Sequence, residues 1–207
     1  RHLNLLVQTN RIPSNLYIVE IDTNMMNEFV ELELMEFIHN KLNYKHIHTI
    51  SYNNLTIKLT IYSKNKTLPK KMLEDIILRI IICGLFKSTH NNININVDIY
   101  LTPFKKKCEY SQGIDVIGPR EINSGASITN TKLFIFRQEE LNKVLVHELI
   151  HYLELDLNEV PFLDCSTYFN ISSNNEIRLN ESYTEIMALM INTIIFSDNV
   201  DVIKDIL

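Results

Sequence analysis

Along "LTIKLTIYSK", Leu55 to Lys64, the residues Leu55, Ile57, Leu59 and Ile61 alternate strictly with polar partners. A period of two sends every second side chain to one face, so the segment requires a half-buried strand. "LYIVEID" (Leu16 to Asp22) also alternates and is rich in branched residues, which predicts another strand. Between the two, "MNEFVELELMEFIHNKL" (Met26 to Leu42) spaces Phe29, Leu32, Met35 or Glu36, and Leu42 along one face of a helix, with Asn24 or Asn27 available as its cap. Pro69 stands where a first helical turn tolerates it, and "KKMLEDIILRIIICGLFK" continues as a mostly buried helix to about Lys87. "INVDIYLTPF" (Ile95 to Phe104) is a further predicted strand, ended by Pro103.

The stretch from Ser111 to Asn130 carries most of the glycines and begins as loop. Within it "EINSGASIT" (Glu121 to Thr129) predicts a short extended edge, and "KLFIF" (Lys132 to Phe136) a clear apolar strand. That strand leads through Arg137 into a helix over Gln138 to Leu155, whose first turn would hold Glu139 and Glu140 where the macrodipole favours negative charge. After Pro161 comes the polar stretch "STYFNISSNNE", and a last long helix begins near Asn180. This order predicts an α+β fold in a single domain over 1–207, with a mixed-sheet α/β lobe over about 1–137 and a helical part over about 138–207. No internal repeat is visible.

Composition narrows the function classes. At 207 residues the chain can bury one sizeable core, and 45% hydrophobic with 22% charged residues is ordinary globular usage. A formal net charge of -5 argues against nucleic acid or an anionic membrane as partner, and the run Lys105, Lys106, Lys107 reads as a solvated strand end or loop. The apolar run Ile76 to Phe86 is too short to span a bilayer and is broken by Arg79, so no transmembrane helix is expected. Three widely spaced cysteines, Cys83, Cys108 and Cys165, suggest neither a disulfide framework nor a cysteine-based zinc knuckle. They fit a reducing, intracellular and cytoplasmic setting. The chain opens on Arg1 and not on a methionine, consistent with removal of an upstream segment. Abundant Asn and Ile are the usage of AT-rich genomes, such as those of large DNA viruses.

The chemistry concentrates in "LVHELIHYLE", Leu145 to Glu154. Residues four apart stack on one helical face, so His147 and His151 can direct a nitrogen each at one ion. Zinc suits them, because hydrolytic zinc sites use three protein ligands and leave the fourth position to water. Glu148 points about 100° around the helix from His147 and is not a ligand. Its natural role is to take a proton from zinc-activated water and pass it to the leaving amine. The flanking Val144, Leu145, Val146, Leu149, Ile150, Tyr152 and Leu153 are uncharged, as a buried metal-bearing helix requires. His46 and His48 alternate as on one face of a strand and read as a surface pair.

A third ligand is needed. The metzincin extension of the motif would supply one with a glycine at 154 and a histidine at 157, but those positions hold Glu154 and Leu157, and no histidine follows His151. A carboxylate must complete the site, and "LNESYTEIMALMI" (Leu179 to Ile191) offers Glu181 and Glu185 on one helical face with apolar Ile186, Leu189 and Met190 behind them. Over Glu121 to Ile191 the chain resembles the gluzincin branch of HExxH zinc metallopeptidases, thermolysin-like in its local motifs. There the third ligand is the glutamate of an N-E-x-x-x-D motif, and the acid four residues later hydrogen-bonds the first zinc histidine. Asn180 and Glu181 match the first two positions, which makes Glu181 the implied ligand. Glu185 stands where the aspartate usually does; being one methylene longer, it also admits the reverse assignment.

The resemblance implies a zincin-like fold and a peptide or protein substrate hydrolysed with one zinc ion per chain, Glu148 acting as base. It gives "INSGAS" a meaning too: Asn123, Ser124, Gly125 and Ala126 would pair with extended substrate backbone along the cleft. Tyr168, between the two metal helices, is the best placed oxyanion donor. Arg120 or Arg137 could clamp a terminal carboxylate or simply hold structure. An inactive zinc-binding descendant serving as an interaction module is the alternative reading. A glycan on the N-x-S sequon at Asn180 would block the site, which favours an intracellular protein.

Overall fold

Ile57, Leu59 and Ile61 form the centre of a six-stranded sheet that carries helices on both faces. The computed structural model describes residues 6–13 (backbone only), 30–87, 91–106, 123–156 and 179–196. In chain order these form β1 (Leu6–Pro13), α1 (Leu32–Lys41), β2 (Tyr44–Tyr52), β3 (Leu55–Ser63), α2 (Lys70–Phe86), β4 (Ile93–Tyr100), β5 (Gly125–Ile128), β6 (Lys132–Ile135), α3 (Leu141–Tyr152) and α4 (Leu179–Phe196). The sheet order is β1-β2-β3-β4-β6-β5. The first three strands are an antiparallel meander whose β2–β3 turn places Asn53 at φ 52, a left-handed conformation that asparagine tolerates. Helix α2 then crosses over so that β4 runs parallel to β3. β6 is parallel to β4, and β5 returns antiparallel to β6 at the sheet edge. The molecule is thus mixed α+β.

The side-chain alternation divides the core. One face of the sheet, with Ile57, Leu59, Ile95, Val97, Leu133 and others, packs against α2, α3 and the inner residues Ala188 and Ile191 of α4. The other face, with Tyr62, Tyr100 and Phe134, packs against α1 through Leu34, Met35 and Ile38. Tyr62 and Tyr100 stack with ring centroids 4.6 Å apart. No helix among the described residues is long and apolar enough to cross a membrane.

Strand β3 and helix α2 lie where the pattern predicts them, as do β6 and the start of α4. Several boundaries differ for physical reasons. Helix α1 begins at Leu32 and not at Met26, because Glu31 is extended at ψ 143; the suggested caps Asn24 and Asn27 and the strand Leu16 to Asp22 lie outside the described residues. Leu32 is 75% exposed, so the buried stripe is Leu34, Met35 and Ile38 instead. Strand β4 ends at Tyr100, ahead of Pro103 and Phe104, since Thr102 leaves the ladder to donate its hydroxyl to the Phe136 carbonyl at 2.6 Å. On α4, Ile186, Leu189 and Met190 face solvent; Thr184, Ala188, Ile191 and Asn192 are the buried residues.

The surface pair is also corrected. His46 and His48 are buried, at 4% and 3% exposure. The reason is their register: β2 lies between β1 and β3, and these two residues oppose Ile61 and Leu59 on the core face. His46 Nε2 lies 3.2 Å from both Ser63 Oγ and the Asn65 carbonyl. Burial, reinforced by His46, holds the His48 pKa below the ordinary 6.5. The unfolded chain therefore takes up this proton first, so the stability associated with neutral His48 is complete above about pH 6.5 and is lost as pH falls toward the folded value. Unfolding free energies from urea titrations across that window should decline in the wild type, with His48 contributing less than about 1.4 kcal/mol per pH unit. The His48→Gln variant should decline less.

Candidate metal centre

Helix α3 is anchored by Leu145, Val146, Leu149, Ile150, Tyr152 and Leu153, none more than 1% exposed. Burying those positions leaves His147, Glu148 and His151 on the strip that meets α4 and β5. The helix starts later than the pattern suggests. Glu140 is its N-cap, left-handed at φ 56, and its carboxylate takes a 2.7 Å hydrogen bond from Lys106 Nζ while Glu139 accepts the Lys106 backbone N–H. Both acids are therefore engaged by Lys106 ahead of the first turn, outside the helix.

Three ligand-type atoms converge between α3 and α4. His147 Nε2 and His151 Nε2 are 3.3 Å apart, and Glu181 Oε2 lies 3.5 Å from the first and 3.4 Å from the second. His147, His151 and Glu181 could together hold one metal ion. The two remaining ring nitrogens face carboxylates: His147 Nδ1 is 3.3 Å from Glu185 Oε2, and His151 Nδ1 is 2.9 Å from Asp156 Oδ2. Carboxylate partners assign the proton to Nδ1 in both rings. Each Nε2 then presents a lone pair, so two lone pairs and a carboxylate oxygen face one another, an arrangement that is repulsive until a cation lies between them.

Electrostatics follow from this packing. Burial and the neighbouring His151 hold His147 below the usual imidazole range, against the pull of Glu181 and Glu185. Partial burial works to raise Glu185, but Lys143, ion-paired to its other oxygen, and His147 together bring it below the ordinary carboxylate value. Glu148 goes the other way: burial pushes its carboxyl up, and a 2.8 Å hydrogen bond from Ser127 Oγ offsets only part of that. A half-buried carboxylate with a raised pKa beside a candidate metal site is suited to accepting a proton.

Of the sequence-predicted site, the structure brings together His147, Glu148, His151, Glu181 and Glu185, with half-buried Asn180 the second residue of α4. Tyr168 and Arg120 lie outside the described residues. Asn123 and Ser124 precede β5; their carbonyls accept from Arg137 Nε at 3.0 Å and from the Phe136 N–H at 2.9 Å. Arg137 is 1% exposed and also meets the Lys105 carbonyl and Glu31, so it holds structure. Gly125 and Ala126 begin β5, whose outer side has no strand partner among the described residues. Since Ser124 bonds Phe136 in the antiparallel ladder, the alternation turns the backbone groups of Gly125 and Ser127 to that open edge and those of Ala126 inward. Gly125 is required by space: a Cβ there would stand 2.9 Å from the Phe134 carbonyl and 3.0 Å from Val144 Cγ1, forcing β5 off α3.

Sequence reasoning missed Ser127, Lys143 and Asp156. Ser127 lies inside the extended edge "EINSGASIT" and is marked only by its hydrogen bond to Glu148, 21 residues on, a contact that the sequence does not carry. Comparison with known protein families, with curated proteins and with solved structures finds no match to this chain.

Proposed function

We propose that the chain is a zinc-dependent peptidase of zincin-like architecture, with His147, His151 and Glu181 as ligands and Glu148 as general base. The observation that carries this reading is the ligand triangle. Its edges of 3.3, 3.4 and 3.5 Å match the edge of about 3.3 Å that a tetrahedron has when its ligands lie about 2.05 Å from zinc. Nitrogen and carboxylate donors in a three-residue set leave one position open, as catalytic zinc sites do. Zinc bound there supplies a Lewis acid that activates water and polarises the scissile carbonyl.

The chain's own groups supply the rest. Glu148 takes the proton of the attacking water and returns it to the leaving amine, with Ser127 holding its carboxylate from the side of β5. The open edge of β5 offers the backbone groups of Gly125 and Ser127 to an extended peptide, which would add as a further strand and bring its backbone alongside Glu148. An antiparallel edge strand beside the motif-bearing helix is the feature of the sheet that favours a zincin-like arrangement.

Elemental analysis of protein purified in zinc-replete buffer, followed by a peptide-library cleavage screen, tests the proposal. One zinc per chain is expected, with cleavage abolished by a chelator and restored by added zinc. Protein that holds no zinc would overturn the metal site. Zinc without cleavage of any library peptide would overturn the peptidase.

A further inference from the structure

Helix α3 ends in a turn that delivers an acid to the far side of its second histidine. The Glu154 N–H bonds the His151 carbonyl at 3.0 Å and the Leu155 N–H bonds the Ile150 carbonyl at 2.9 Å, the paired bonds of a Schellman ending. Glycine usually occupies the left-handed position of that motif, but here it is Glu154, at φ 53. The unfavourable conformation is held from two sides, because the Glu154 carboxylate accepts from Lys87 Nζ at 3.1 Å and from Asn130 Nδ2 at 3.2 Å. Two residues later the chain has folded back far enough for Asp156 Oδ2 to reach His151 Nδ1 at 2.9 Å.

An acid just past a helix C-terminus is disfavoured by the negative end of the dipole, so Asp156 is not explained by the helix ending itself. It is also the firmer of the two carboxylates behind the histidines. The Asp156 side chain is 13% exposed and 2.9 Å from its ring, whereas Glu185 is 40% exposed, 3.3 Å away and shared with Lys143. We propose that Asp156 is the main positioning residue of the metal centre: it fixes His151 as the Nδ1–H tautomer and so keeps Nε2 aimed at the ion. This inference rests on the zinc reading above.

The test has a metal-free and a metal-bound arm, on wild type, Asp156→Ala, Asp156→Asn and, as control, His151→Ala. In zinc-free protein, ¹⁵N spectra of His151 should show the Nδ1–H tautomer in wild type and in Asp156→Asn, whose amide oxygen can still accept, and a mixture of tautomers in Asp156→Ala. In competition with a chromophoric chelator, Asp156→Ala should bind zinc about 10- to 100-fold more weakly, with Asp156→Asn between it and wild type. If Asp156→Ala unfolds, the zinc affinity of Asp156→Asn, expected below that of wild type, carries the test alone. An unchanged tautomer in Asp156→Ala, or a zinc affinity unchanged in both Asp156 variants, with His151→Ala losing zinc, would overturn the role of Asp156 and leave the metal site standing. Zinc bound equally well by His151→Ala would overturn the site itself.

Discussion

Glu148→Gln is expected to keep its zinc and lose peptide hydrolysis by at least about 100-fold, the low end of what a positioned general base contributes. Glutamine has the shape of glutamate, and its amide oxygen can still accept the hydrogen bond that Ser127 Oγ gives to Glu148 at 2.8 Å. What it lacks is basicity. The deficit should therefore appear in kcat with KM little changed, since on the proposed reading substrate backbone would pair with β5 and not with this side chain. Zinc stoichiometry measured on the same sample separates lost chemistry from lost metal. A Glu148→Gln enzyme as fast as wild type would remove Glu148 from the mechanism.

Replacing Glu181 by alanine should cost both metal and activity. Removing one of three ligands must exceed the effect of removing a residue that only orients one, so the loss in zinc affinity should be more than about 100-fold, against about 10- to 100-fold for Glu185→Ala. The contrast decides the assignment that the sequence leaves open. Glu181 Oε2 lies within 3.5 Å of both Nε2 atoms, while Glu185 faces Nδ1 of His147 and Lys143. Chelator competition on the two variants, side by side, checks the ranking. A larger loss in Glu185→Ala would reverse the roles.

Much of this arrangement was legible because it depends on local period. The alternation of Leu55 to Ile61 and the long apolar run of α2 each specify an element without reference to the rest of the chain. The spacing of His147, His151, Glu181 and Glu185 likewise places pairs on single helical faces. What escaped depends on distant neighbours. Strand β1, "LVQTNRIP", is too polar to announce itself and is recognisable only from its pairing with β2. His46 and His48 become core residues because β2 lies inside the sheet, which no pattern of two histidines conveys. Lys143 lies on the predicted helix, but its partner is on another. Asp156 owes its place to a left-handed glutamate, a conformation that glycine would have signalled.

Ser127, Glu148, His147, His151 and Asp156 all belong to the continuous segment 123–156, whereas Glu181 and Glu185 come from beyond it, with 29 residues between His151 and Glu181. A metal held by all three ligands is then a reversible cross-link that closes this loop. It restricts the unfolded chain as well as filling a site, with a closure entropy that grows only slowly with loop length. Occupancy would then be a mechanical tie between α3 and α4, and a metal bound there would also set how firmly the last helix stays docked.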